Sequence, residues 1–155
     1  MTQTAAFAYT HARLQARHGR RPGPGEWERL ERVGDFGHYI QTARGTGLAP
    51  WVHHIGTTSP AHEVERALGT ALRGNIETVA TWQPAPWRPA FLWLRALLEL
   101  PVAHHLLSGR PAPEWMAGLP LSGEAAGRPE EGRQQALARS PLRPLLPGWG
   151  GAPGL

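Results

Sequence analysis

The sequence predicts an all-α fold, and three observations support that prediction. Apolar residues recur at i, i+3, i+4 and i+7 in several segments, glycines and prolines separate those segments, and no segment shows the alternation of β-branched residues expected of a strand. The predicted architecture is one small domain of about five to six helices over residues 1–117. A disordered tail is predicted to follow over residues 118–155.

The first helices are predicted from their apolar periodicity and their end signals. One helix is predicted over residues 4–18, and a shorter one over residues 26–33 with Trp27 and Leu30 facing inward. Asp35 is predicted to be the N-cap of the third helix, because its short acidic side chain can accept a hydrogen bond from the first turn.

The middle of the chain has the strongest amphipathic pattern. A helical spacing of apolar residues covers residues 48–55, and a long helix is predicted over residues 60–82 with Leu68 on its buried face. Ser59 is the predicted N-cap of this long helix. A glycine inside a helix is unfavourable, so Gly69 and Gly74 are both interpreted as points of close approach to another helix.

Prolines organise the segment that follows. Residues 83–89 contain three prolines and are predicted to form an extended linker, since residues that precede proline avoid the helical region. The last helix is predicted over residues 89–107, and Pro101 is where it could kink. Trp115 and Met116 are predicted to fold back as an apolar plug.

The predicted tail differs in composition from the rest of the chain. Its 38 residues, 118–155, contain 8 Gly and 6 Pro. Its apolar residues show no period, so their burial is not expected to offset the entropy of ordering the backbone.

Composition excludes several classes of function. The chain has no cysteine, which excludes disulfides and thiolate metal sites, and no lysine, which excludes a P-loop. The start of the sequence lacks the pattern of a signal peptide, so a cytoplasmic location is expected. The apolar stretch before residue 107 contains Arg95 and Glu99, which argue against a membrane span.

Histidines and nucleophiles give little support for catalysis. His53 and His54 are adjacent, so on a helix they point about 100° apart and cannot chelate as an i, i+4 pair. His62 begins a zinc-protease-like motif whose second histidine position is Arg66. We expect no enzyme activity, metal or cofactor; a small hydrolase with a hidden histidine site is a third alternative.

Two side-chain sets are candidate binding residues. The tryptophans around the proline-rich linker could present indoles to a protein partner or lie in the core. A cluster of arginines could contact phosphates, because no acidic residue precedes Glu26. The first set is Trp82, Trp87 and Trp93; the second is Arg13, Arg17, Arg20 and Arg21.

Part of the chain resembles a known family. Residues 9–17, Tyr-Thr-His-Ala-Arg-Leu-Gln-Ala-Arg, resemble the start of the C/d-type connector subunits of V-type ATPases. Residues 35–40 and 46–52 are similar to that family's order of short helices, and residues 91–107 resemble its closing helix. Over residues 7–109 the resemblance implies one helical unit of a non-catalytic protein that joins a rotary stalk to a membrane ring.

These observations favour a non-catalytic helical module that binds another protein, with a connector of the V-type ATPase kind as its narrower form. The alternative is a nucleic-acid-binding protein that uses the basic first helix, which lacks an accompanying recognition motif. Neither the partner nor the oligomeric state can be identified from the sequence.

Overall fold

The all-α prediction is confirmed. A computed structural model describes residues 3–109, 116, 119–125 and 128–146. Over these residues the chain forms nine α-helices and no strand. This is more than the five to six predicted, because the last predicted helix is divided and two helices form beyond residue 117.

The chain divides into two compact units, Met1–Pro89 and Ala90–Leu155. The predicted boundary after residue 117 therefore falls inside the second unit. The first unit contains α1 (Gln3–His18), α2 (Pro24–Glu31), α3 (Phe36–Arg44), α4 (Ala49–Val52), α5 (Ala61–Trp82) and a 3-10 turn at Ala85–Trp87. Next come α6 (Arg88–Leu97), which begins at the boundary, α7 (Leu100–Leu107), α8 (Pro120–Ala125) and α9 (Glu130–Arg139).

The core of the first unit lies among its short helices. Asp35 caps α3 as predicted, since its side chain accepts a hydrogen bond of 2.8 Å from the His38 amide. Correct capping and a periodic apolar face let α3 bury its side chains against α2 and α4. The buried cluster consists of Leu30, Ile40, Ala43, Val52 and Ile55.

Two predictions for inward-facing residues are wrong. Trp27 is 40% exposed, and Leu30 is the one buried residue on α2. Leu68 is 37% exposed. The core cluster reaches α5 at Val64 and Ala67, and beyond them Leu68 and Leu72 remain exposed whereas Ala80 is buried.

The start of α5 differs from the prediction by one residue. Pro60 occupies the cap position, and the helix begins at Ala61. Ser59 instead accepts a hydrogen bond of 3.1 Å from the Gly56 amide, which closes the preceding turn. A serine before proline can stabilise either arrangement, and here the tight turn uses its hydroxyl.

The proline-rich segment is more helical than predicted. The predicted linker contains the 3-10 turn Ala85–Trp87, and α6 follows directly at Arg88. Proline is compatible with the first turn of a helix, where its missing N–H has no intrahelical partner. The predicted helix over residues 89–107 is divided into α6 and α7. The pair formed by Ala85–Leu97 and Leu100–Leu107 bends by 51°.

The prediction of a disordered tail is corrected for residues 119–125 and 128–146. These residues form α8, α9 and a 3-10 turn, and they supply a large part of the second core. Short helices separated by proline and glycine show no long period, so the sequence pattern does not reveal them. The buried leucines are Leu121, Leu137, Leu142 and Leu146, which cluster with Val102, Ala103, Leu106 and the predicted plug residue Met116. Trp115 and residues 147–155 lie outside the described residues.

Hydrogen bonds to an acidic side chain stabilise the first turn of α9. The side chain of Arg133 donates a hydrogen bond to the Glu130 carboxylate, and the side chain of Gln134 donates a second. These bonds hold the pKa of Glu130 below its usual value. An acidic residue in the first turn also matches the helix dipole, so α9 forms despite the glycine at position 132.

Candidate functional site

The helix α1 is attached to α5 by a largely polar contact. Thr10 is the one buried residue among the side chains of α1 that the structure describes. Its hydroxyl donates a hydrogen bond of 2.6 Å to the carbonyl of Trp82, in the last turn of α5. Carbonyls in the last turn of a helix have no intrahelical partner, so Thr10 satisfies one of them and fixes the two helices together.

Two arginines of α1 lie over the indole of Trp82. The guanidinium carbon of Arg13 is 4.8 Å from the ring centroid, and that of Arg17 is 4.7 Å from it. Arg13 also donates a hydrogen bond of 2.6 Å to the Tyr9 hydroxyl, and Arg17 one of 2.6 Å to Oδ1 of Asn75. We call Arg13, Arg17 and Trp82 the arginine clamp. Its guanidinium groups are held in place by stacking and by neutral acceptors.

The clamp carries positive charge without a carboxylate against it. Among the described residues, the polar contacts of Arg13 and Arg17 are with neutral groups, and no acidic residue precedes Glu26 in the sequence. The C-terminal end of α5 contributes only about half a negative charge through its dipole. The clamp therefore retains more than one positive charge that an anionic ligand could neutralise.

An aromatic pair lies further toward the start of α1. The rings of Phe7 and Trp87 meet edge to face, with centroids 6.1 Å apart and planes at 70°. Trp87 is 49% exposed, and Phe7 is also exposed. The 3-10 turn holds the backbone of Trp87, whose amide donates a hydrogen bond of 2.9 Å to the carbonyl of Pro84. We call Phe7 and Trp87 the aromatic corner.

The two features lie on different flanks of α1. At about 100° per residue, Phe7 and Arg13 lie roughly 60° to either side of buried Thr10. The aromatic corner and the arginine clamp are therefore separate surfaces on opposite sides of the contact between α1 and α5.

A groove of about 670 Å³ runs along α5 on the side of α4. Its apolar wall and floor come from Trp51, Ala67, Ala71 and Gly74. Asn75 lies in the lining of the groove and accepts the hydrogen bond from Arg17, so the arginine clamp lies at this end of the groove. The groove is not evident from the sequence, because it depends on the turn that places Trp51 beside α5.

The remaining predicted site residues are not part of either surface. Trp93 is exposed on α6, in the second unit. Arg20 and Arg21 are exposed in the turn after α1. The carbonyl of Arg20 lies against Gly47, where a Cβ atom would approach it to 1.8 Å. The backbone of this turn is thus fixed by close packing, whereas its two side chains face solvent.

Two adjacent histidines lie in contact just after α4. The rings of His53 and His54 lie side by side, with centroids 3.4 Å apart. Within the part of the chain that the structure describes, no three histidine, aspartate or glutamate side chains are grouped as metal ligands.

By length and apolar composition, none of the individual helices in the described ranges could cross a membrane. The bent pair of Ala85–Leu97 and Leu100–Leu107 meets those criteria only when its two parts are taken together.

No protein-family model, curated protein or solved structure matches this chain.

Proposed function

We propose that the protein is a non-catalytic helical module that binds another protein through the aromatic corner. The observation that supports this most is the exposure of Trp87, which is about half accessible although its backbone is held in a 3-10 turn and its ring contacts Phe7. A large indole presented in one conformation loses little entropy when a partner covers it.

Energetics favour Trp87 as an anchor. Tryptophan is among the residues most enriched at interface hot spots, where truncation costs about 2 kcal/mol or more of binding free energy. An edge-to-face partner adds only about 0.5–1.5 kcal/mol, so Phe7 supports the ring without needing to bury it. The partner is expected to present an apolar pocket to this corner.

The experiment compares Trp87→Ala with Trp27→Ala in the full chain. Both indoles are exposed, but Trp27 lies on α2, outside the aromatic corner. The unchanged chain captures its partner proteins from the native cell. Trp87→Ala should lower the affinity for them by about 30-fold, which corresponds to about 2 kcal/mol of binding free energy, whereas Trp27→Ala should still capture them.

Circular dichroism and thermal melts of both variants complete this test. A Trp87→Ala variant that melts far below the unchanged protein would identify Trp87 as a stability residue. A folded Trp87→Ala variant that captures every partner would also contradict the proposal.

A connector similar to the C/d-type subunits of V-type ATPases is the narrower form of this proposal, and the resemblance in sequence supports it. Its test is whether components of a rotary stalk are among the proteins that Trp87→Ala loses. Binding of nucleic acid is a second candidate, favoured by the unneutralised charge of Arg13 and Arg17. It predicts affinity for oligonucleotides that falls steeply with salt and with neutralisation of these arginines.

A further inference from the structure

The floor of the α4–α5 groove is made of small residues on one face of α5. Ala67, Ala71 and Gly74 follow each other at i, i+4 and i+7, and Trp51 forms the wall beside them. Rows of residues spaced by three and four are the surfaces through which helices pack. Small side chains in such a row allow a second backbone to approach closely.

Nothing in the described structure covers this face at Gly74. A Cβ atom added there would have no neighbour within 4 Å. The sequence-based interpretation that Gly74 marks the close approach of a helix is therefore not satisfied within the described residues. The surface for such an approach is present and open, since Gly74 lines the groove.

The end of the groove is positively charged. Arg17 donates its hydrogen bond to Asn75 in the groove lining, and Arg13 shares the indole of Trp82 with it. Each guanidinium group has five N–H donors, of which the hydrogen bonds to Asn75 and Tyr9 use one apiece. Carboxylates can accept further donors of this kind in bidentate geometry.

We propose that the α4–α5 groove binds an acidic amphipathic helix of a partner protein. Small apolar residues of that helix pack on Ala67, Ala71 and Gly74, and carboxylates at one of its ends bind Arg17 and Arg13. The lining of the groove extends along α5 from Glu63 to Thr78, or about 22 Å at 1.5 Å per residue, which fits a helix of roughly 14–15 residues. This site is separate from the aromatic corner and does not depend on it.

The extent of the charge favours a peptide over nucleic acid. Proteins whose binding to nucleic acid depends strongly on salt commonly contact about six to ten phosphates, roughly one released counterion for each. The clamp offers two cations and the neighbouring turn two more, and the lining of the groove adds Arg66, whose charge the acidic residue Glu63 offsets. The indole of Trp82 is half-buried beneath the two guanidinium groups, which limits its use as a platform for a base.

The test uses a fluorescein-labelled 14-residue peptide with an Ala/Leu face and four Glu residues in its first turn, where negative charge favours the helix. Its counterpart has Gln at those four positions. Fluorescence anisotropy with the full chain should show saturable binding of the Glu peptide and about tenfold weaker binding of the Gln peptide, the loss expected for charge-assisted hydrogen bonds. Arg17→Gln should remove most of this difference, whereas Arg29→Gln, an exposed arginine on α2, should not.

A matched pair of glycine variants tests the groove itself. Gly74→Leu fills the groove and should weaken binding of the Glu peptide by about tenfold or more. Gly69→Leu is its control, since Gly69 also has no neighbour within 4 Å of a new Cβ atom but does not line the groove. Thermal melts of both variants should lie no lower than that of the unchanged protein, because leucine favours helix over glycine.

The outcomes separate this proposal from the proposed function. Trp87→Ala should bind the Glu peptide as the unchanged protein does. Absence of saturable binding up to about 1 mM, or equal loss with Gly69→Leu and Gly74→Leu, would overturn the groove as a site. Tighter binding of a fluorescein-labelled oligo-dT, weakened by Arg17→Gln, would overturn the peptide assignment in favour of nucleic acid.

Discussion

Leu30 and Leu68 show how differently two apolar residues of one helical unit contribute to stability. Leu30 is 1% exposed within the first core cluster, whereas Leu68 is partly open to solvent on α5. We predict that Leu30→Ala lowers the free energy of unfolding by about 2–5 kcal/mol, since it leaves a cavity. Leu68→Ala should lower it by less than about 1 kcal/mol, as for most surface substitutions.

Urea unfolding of the full chain, followed by circular dichroism, measures both values. If Leu68→Ala lowers the free energy of unfolding as much as Leu30→Ala does, Leu68 is covered in solution. The same comparison bears on a sequence-based expectation, because the helical pattern alone assigns both leucines to the interior.

Sequence periodicity indicates a face but not the neighbours that cover it. Tyr9, Arg13 and Arg17 are spaced by four, so their position on one side of α1 can be predicted. The contact of Arg13 and Arg17 with Trp82 cannot be predicted, because it joins residues far apart in the sequence through the packing of α1 on α5. The sequence also does not predict that Trp87 lies apart from Trp82, because the prolines between them do not indicate the 3-10 turn that separates the two indoles.

At the scale of elements, two glycines have opposite structural roles. Gly47 lies against the carbonyl of Arg20, and a Cβ atom there would be 1.8 Å from that oxygen. Gly74 has open space around the corresponding position. We predict that Gly47→Ala destabilises the protein by about 1–3 kcal/mol, since the backbone of the Arg20 turn must move. Gly74→Ala should stabilise it by about 1 kcal/mol through helix propensity.

Thermal melts of the two alanine variants test this prediction. Their melting temperatures should move in opposite directions from that of the unchanged protein. A Gly47→Ala variant as stable as the original would mean that the turn at Arg20 is not held against Gly47. A Gly74→Ala variant that is destabilised would indicate that another segment covers Gly74.

Elements with clear end signals are predicted closely. The bounds of α1 and α5 agree with the sequence-based ranges within one residue, because periodicity and terminal residues act together there. Errors concentrate where proline occurs. The sequence predicts an extended conformation for residues 83–89, yet proline also fits the first turn of a helix. The packing of the residues that follow decides between the extended and the helical conformation.

At the scale of the whole molecule, composition is a poor guide to where packing ends. The described parts of residues 118–155 are rich in glycine and proline but contain the leucines that complete the second core. Each of their helices is too short to show a period, so the burial of Leu137 and Leu142 depends on long-range contacts with α7. The groove on α5 is equally hidden, because the sequence does not specify which part of a long helix its neighbours leave open.

The two core clusters lead to a prediction about truncation. Because Leu121, Leu137 and Leu142 pack with Val102 and Leu106, a chain that ends at Ala117 should lose the second core. Each buried leucine contributes about 1.5–3 kcal/mol, so the loss of several exceeds the free energy of unfolding of one small unit. The first cluster shares no residue with the second, so its unfolding transition should remain, and Leu30→Ala should still shift it.

The measurement is urea unfolding of the full and truncated chains, with Leu142→Ala compared with the exposed Leu145→Ala as a check in the full chain. A truncated chain that unfolds with the full amplitude and midpoint, together with equal effects of the two leucine variants, would show that residues beyond Ala117 do not contribute to the fold.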